Sequence, residues 1–161
     1  MLKLRIGLAA AACLLLAGTS QVLAQAAEKP TDDNPVVWDI RHGAEGDAHV
    51  VLALATIADG WYVYSQHLGE GGPIPTSLDL SATEGLNALD APAEGGKPIE
   101  GYDELFAMNV KKFAQTASFS QQFTLPKSTE RIRGSLQYMA CTDLKCLPPR
   151  TIDIDLPASG K

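Results

Sequence analysis

The sequence predicts an all-β chain folded as an immunoglobulin-like β-sandwich, and three features predict it. Apolar and polar residues alternate with period two through the C-terminal half. Short runs of β-branched and aromatic residues are separated by clusters of Gly, Pro and Asp. No amphipathic helical pattern follows residue 26. Alternation with one polar face belongs to sheets that keep one side in solvent. Roughly seven or eight short strands in about 125 residues suit two antiparallel sheets packed face to face.

The elements run as follows. Lys3 and Arg5 precede an apolar stretch from Ile6 to Gly18, then polar Thr19, Ser20 and Gln21, and a small-x-small triplet Ala24-Gln25-Ala26. This is a secretory signal peptide over residues 1–26, with cleavage expected after Ala26 and Ala24 as the second choice. Cys13 lies in the apolar stretch and leaves with it. Ala10, three positions earlier, and Leu14, Leu15 and Leu16 behind it argue against a lipid-modified cysteine. No later stretch is long and apolar enough for stable membrane insertion. Residues 27–35 are a flexible polar leader, and residues 36–158 form one domain. A first strand is expected over Val36–Arg41 and a second over His49–Ala58, ending at Asp59-Gly60, where a hairpin or bulge leads into Trp61, Tyr62, Val63 and Tyr64. Gly69–Pro75 reads as loop, Thr76–Leu80 as strand, and Ala91–Pro98 as a second Pro/Gly-rich loop. Phe119, Gln121 and Phe123 then oppose Ser118, Ser120 and Gln122. Arg131–Ala140 and Thr151–Leu156 alternate well enough to form an antiparallel pair.

Removal of the signal leaves 161 − 26 = 135 residues, enough for one core without disulfide stapling. It removes two of thirteen basic residues and none of nineteen acidic ones, so the remaining charge is 11 − 19 = −8. With no basic cluster, nucleic acid and anionic membrane surfaces are poor candidates as partners. Ser/His/Asp groupings, phosphate loops and helical metal motifs are absent from the sequence, so hydrolysis and nucleotide chemistry find no support.

The chemistry concentrates in Cys141-Thr142-Asp143-Leu144-Lys145-Cys146, followed by Leu147-Pro148-Pro149. Cys141 would end one strand and Cys146 would lie in the connection to the next. A disulfide needs Cα atoms about 4.4–6.8 Å apart, so Thr142–Lys145 must curl back. Closing so small a ring stabilises a fold by about 2 kcal/mol or less, which makes the pair a poor staple. A short-range disulfide on a loop is the better exchange site, because a thiolate can reach it in line. Lys145 would favour a thiolate and Asp143 would disfavour one. Spacing alone leaves open both exchange and an inert structural bond.

Three segments in order carry a resemblance. The Cys141–Pro149 run resembles the active-site segment of the N-terminal periplasmic domain of the thiol:disulfide interchange protein DsbD family. Gly60-Trp61-Tyr62-Val63-Tyr64-Ser65-Gln66 resembles that domain's Gly-aromatic-aromatic-aliphatic-Tyr segment. Gly72-Pro73-Ile74-Pro75-Thr76-Ser77 resembles its Gly/Pro-Thr-Ser stretch. The resemblance covers most of Val36–Leu156 and implies an immunoglobulin-like sandwich with its redox pair at one end. It implies that Cys146 forms mixed disulfides with partners and that Cys141 resolves them, without a cofactor. The implied recipients are periplasmic thioredoxin-fold proteins of the disulfide isomerase or cytochrome c maturation type. A cap loop covers the disulfide in this family; its counterpart here is Tyr102–Phe106, with Phe106 as the cap and Glu104 as a carboxylate near the pair. Tyr62 and Tyr64 match aromatic residues beside the disulfide. The chain has four residues between its cysteines where the best-known member has five. It also carries neither the membrane domain nor the thioredoxin-like domain, so either a stand-alone carrier or a split coding sequence is expected, fed in both cases by a separate membrane-linked electron donor.

Two other readings belong to different classes. Met139, Cys141, Cys146 and His67 are soft ligands suited to Cu(I). An exported β-sandwich interaction module with an inert disulfide is the third. Tyr62, Tyr64, Trp61 and Phe106 equally suit ordinary packing, Asp103 and Glu104 a solvated acidic turn, Asp59 and Asp143 turns, and His42 and His49 isolated surface positions.

Overall fold

The structure, a computed structural model, describes residues 28–159, so the expected signal peptide lies outside the described residues. Ten strands and no helix make up the described chain. In order they are β1 (Val36–Glu45), β2 (Ala48–Ile57), β3 (Tyr62–Tyr64), β4 (Ser77–Asp79), β5 (Asn87–Ala88), β6 (Ala93–Asp103), β7 (Met108–Thr124), β8 (Arg131–Tyr138), β9 (Ala140–Cys141) and β10 (Arg150–Pro157). One sheet has seven strands along the path β1-β2-β7-β3-β9, with β5 and β6 also paired to β7. The other has three in the order β10-β8-β4. Their facing sides enclose the core of a β-sandwich of immunoglobulin-like type, as the alternation predicts.

β1 and β2 form a hairpin closed by Gly46 and Asp47, with Glu45 opposite Ala48. Gly46 takes a φ of +62°, the left-handed conformation such a two-residue turn demands. β1 thus runs four residues past the expected Arg41, because the small residues Gly43 and Ala44 still ladder with β2. The extension brings His42 and His49 together, contrary to their expected isolation. Their rings stack at 5.2 Å, Nε2 of His42 lies 2.9 Å from Nδ1 of His49, and Phe123 lies beside both. Burial, with the His49 charge second, holds the His42 imidazole below its ordinary pKa.

Asp59-Gly60 makes a turn but not a hairpin. β2 pairs with β7 as far as Thr56 opposite Thr116, and β3 resumes on β7 at Val63 opposite Phe113. The residues between are an excursion in which the Trp61 amide donates to the Ala58 carbonyl. Ala91–Pro98, expected as loop, lies largely within β6, which pairs with β7 alone. An edge strand tolerates a proline that cannot donate to a ladder. The glycines serve close approach: a Cβ on Gly95 would lie 2.6 Å from Ser118 Oγ, and Gly96 has a φ of +126°. The register shift between Gly96 and Pro98 sits opposite Gln115, whose own φ is +61°.

Trp38 packs on both halves of the core, with its ring 5.8 Å from Phe119 and 5.2 Å from Tyr138. Phe113, Phe119, Phe123, Ile132 and Leu136 are fully buried around it. β8 and β10 pair as expected, from Arg131 opposite Pro157 to Tyr138 opposite Arg150. The alternation expected through Ala140 as one strand breaks at Met139. There the chain leaves the small sheet, and Ala140–Cys141 pairs with β3 in the large one, with Cys141 opposite Tyr62.

β4 lies so close to β8 that a Cβ on Gly134 would stand 2.1 Å from the Asp79 carbonyl and 2.9 Å from Leu80 Cα. Backbone atoms cannot rotate aside as a side chain can. Gly134→Ala is therefore expected to destabilise the fold by about 1–3 kcal/mol, measured as a lower urea midpoint. An unchanged midpoint would contradict the close approach.

Candidate functional site

The cysteine loop is closed by its own backbone. The Thr142 amide donates to the Lys145 carbonyl at 2.7 Å, and the Leu147 amide donates to the Ala140 carbonyl at 2.9 Å. Thr142 Oγ1 accepts from the amides of Leu144 and Lys145 at 3.2 and 3.1 Å, which is the local hydrogen bonding that favours threonine in turns. Pro148 and Pro149 follow outside any strand, as residues that offer no amide to a ladder should. Within this frame Cys141 and Cys146 form a disulfide with Cα atoms 4.0 Å apart.

The two sulfurs sit in unequal surroundings. Cys141 is fully buried, whereas Cys146 is partly exposed. Leu144, between them in sequence, is 88% exposed at the loop tip. Both cysteines belong to a small apolar cluster with Tyr64, Val110, Leu68, Phe106, Met108 and Met139. Phe106 comes from the turn of the β6–β7 hairpin, where Ala107 takes a φ of +52°. It is half-buried, and its ring meets Tyr64 edge-to-face at 6.0 Å, an arrangement aromatic quadrupoles favour. Tyr64 is fully buried, so both faces of β3 are covered: Val63 lies in the main core and Tyr64 in the cysteine cluster.

A polar chain borders the cluster. Asp103, 6% exposed, accepts from the Tyr64 hydroxyl at 3.3 Å, the Lys112 ammonium at 3.3 Å and the Leu105 amide at 3.1 Å. Lys112 also donates to Asp143, in the cysteine loop, at 3.3 Å. Its ammonium stands 4.1 Å from the centroid of the Tyr62 ring. Burial, then the Asp103 charge, pushes the Tyr64 phenol well above its usual range, so it stays a neutral donor. Lys145 Nζ lies over Trp61 at 5.5 Å. Behind this group, Glu94 accepts from Ser65 Oγ and the Gln66 amide and pairs with Lys111 at 2.7 Å, tying the chain after β3 to β6. Burial raises the Glu94 pKa, but Lys111, the Gln66 amide and Ser65 together hold it below the ordinary value.

Cys141, Cys146, Tyr62, Tyr64 and Phe106 therefore converge. Glu104 points into solvent in the same turn, and the buried carboxylate there is Asp103, not the solvated residue its sequence neighbours suggest. Lys112 carried no signal of its own in sequence; its place follows from a register that puts Lys111 and Lys112 on opposite faces of β7. Met139 packs against the cluster, while His67 is exposed. Among the described residues no three His, Cys, Asp or Glu side chains gather as a metal site, and no helix is long and apolar enough to cross a membrane.

The profile of the family described as "Thiol:disulfide interchange protein DsbD, N-terminal" matches residues 32–158. The chain belongs to the DsbD N-terminal domain family. The crystal structure of the Neisseria meningitidis DsbD N-terminal domain in the reduced form is similar at a TM-score of 0.57 and 21% identity, over 80% of this chain and 89% of that one. The N-terminal periplasmic domain of ScsB from Proteus mirabilis is similar at a TM-score of 0.57 and 15% identity, over 78% of this chain and 48% of that one. The chain thus spans about half of the ScsB structure. At these identities the two structures support the fold alone. No curated protein sequence matches the chain. Membership of the DsbD family, joined to the Cys141–Cys146 disulfide, supports thiol–disulfide exchange.

Because backbone hydrogen bonds already close the loop, reducing the disulfide is expected to cost the fold only about 2 kcal/mol. Urea denaturation of the oxidised and reduced forms checks this. Loss of cooperative folding on reduction would mark the bond as structural.

Proposed function

We propose that the domain is a periplasmic carrier that passes electrons to oxidised partner proteins through Cys141 and Cys146. The observation that carries this reading is the unequal exposure of the two sulfurs in a loop that backbone hydrogen bonds also close. In the reduced domain, the Cys146 thiolate attacks one sulfur of a partner disulfide. A Cys146–partner mixed disulfide forms and one partner thiolate leaves. The Cys141 thiolate then attacks the Cys146 sulfur, re-forming the internal disulfide and releasing the second partner thiolate. Two electrons pass to the partner, and the protons lost by the two cysteines balance those its thiolates gain from solvent. Cys141, out of reach of a second protein, suits the resolving role.

Residues 1–26 direct export and residues 27–35 act as a leader to the redox domain. Phe106 shields the pair against small thiols, Tyr62 and Tyr64 flank it, and Asp103 rather than Glu104 supplies the carboxylate at its border. The recipients are thioredoxin-fold proteins of the disulfide isomerase or cytochrome c maturation type, and a separate membrane-linked protein re-reduces the pair. Leu144 is the apolar contact the loop tip offers to them.

Cys141→Ala is expected to accumulate mixed disulfides through Cys146 in a periplasmic extract, seen as reductant-sensitive adducts on a gel. Absence of adducts, with Cys146 free, would count against the carrier. Losing the Tyr64–Phe106 contact, worth about 0.5–1.5 kcal/mol, should raise the uncovered fraction. Phe106→Ala is accordingly expected to speed reduction of the disulfide by dithiothreitol about two- to tenfold; an unchanged rate would remove Phe106 as a shield.

A further inference from the structure

Among the described residues, Lys112 is the only side chain with ion pairs to both the cap hairpin and the cysteine loop. Its ammonium lies 3.3 Å from Asp103 Oδ2 at the base of the cap turn and 3.3 Å from Asp143 Oδ1 in the loop between the cysteines. It rests on the face of Tyr62, whose backbone is paired with Cys141. It is not a solvated surface lysine: its side chain is 13% exposed. Lys111, its neighbour, points to the other face and is committed to Glu94.

The anchors differ in kind. Asp103 is buried and held by three donors, so it is fixed. Asp143 is 73% exposed on a loop whose tip stands in solvent. A cation held by the fixed carboxylate and reaching to the exposed one ties the loop to the cap, and a partner protein pressing on the loop tip could displace the exposed arm.

We infer that Lys112 is a positioning residue that latches the cap hairpin carrying Phe106 to the Cys141–Cys146 loop. This inference rests on the shield reading of Phe106. Contact with Asp143 keeps the aromatic cap seated over the disulfide. Displacement of that contact by a docking partner releases the cap where the partner already waits, and a small thiol, which cannot displace it, meets a closed site.

The test is the rate at which dithiothreitol reduces the oxidised domain, at fixed pH, for Lys112→Gln, Lys112→Arg, Asp143→Asn and the double variants. The attacking group is a thiolate. Removing a positive charge would by simple electrostatics slow it, whereas an opened latch speeds it. Lys112→Gln is expected to react about fivefold faster, the scale set by a partly shielded ion pair. Lys112→Arg should return the rate close to that of the parent. Adding Asp143→Asn or Phe106→Ala to Lys112→Gln should give little beyond the faster of each pair, because all three open one contact. A slower Lys112→Gln, or factors that multiply in the double variants, would overturn the latch. A lowered urea midpoint with an unchanged reduction rate would assign Lys112 a purely structural role and overturn it as well. If Phe106→Ala is fast while Lys112→Gln is not, only the latch fails. If Phe106→Ala is itself unchanged, the shield reading fails first.

Discussion

The long strand β7 is the constraint on which the rest depends. Its 17 residues, Met108–Thr124, pair with β2 and β3, with β5, and with β6. One end buries Phe119 and Phe123 in the sandwich. The other ends in the turn that carries Phe106 and presents Val110 and Lys112 beside the cysteines. The kink at Gln115, opposite the register shift in β6, divides the two. Backbone pairing thus transmits the position of the core to the site: the same ladder that orders the large sheet fixes where the turn carrying Phe106 begins.

The second requirement is met at Met139. A chain that stayed in the small sheet would carry Cys141 away from β3. By crossing to the large sheet for only Ala140 and Cys141, it sets the buried sulfur against Tyr64 and leaves the loop with Cys146 at the edge. The hydrogen bonds around Thr142 close that loop alongside the sulfur–sulfur bond. That division of labour is what distinguishes an exchange site from a staple.

Much of this was legible in sequence because period-two alternation reports which face of a strand is buried. β8, β10 and the placement of Cys141 at a strand end follow from it directly, while the curl of Thr142–Lys145 follows from the short reach of a disulfide. β6 was not legible, since its glycines and proline read as loop until an edge position and a close neighbour explain them. The short excursion between β2 and β3 was hidden because a turn at Asp59-Gly60 does not say whether the chain reverses or merely bulges. The His42–His49 stack needed the hairpin register. At the site, the aromatic residues and cysteines were visible as residue types. Asp103 and Glu104 were interchangeable acids in sequence, and only burial separates them. Lys112 was invisible because an ion pair spanning 31 positions to Asp143 leaves no local pattern.

The central claim is that Cys141 and Cys146 exchange electrons with other proteins and do not merely hold the loop. Equilibrating the domain with glutathione redox buffers and measuring the fraction oxidised gives the reduction potential of the pair. An exchanging pair is expected to have a potential above about −300 mV, within reach of cellular thiol couples. A value well below it, in the range of inert structural disulfides, would mark Cys141–Cys146 as a staple.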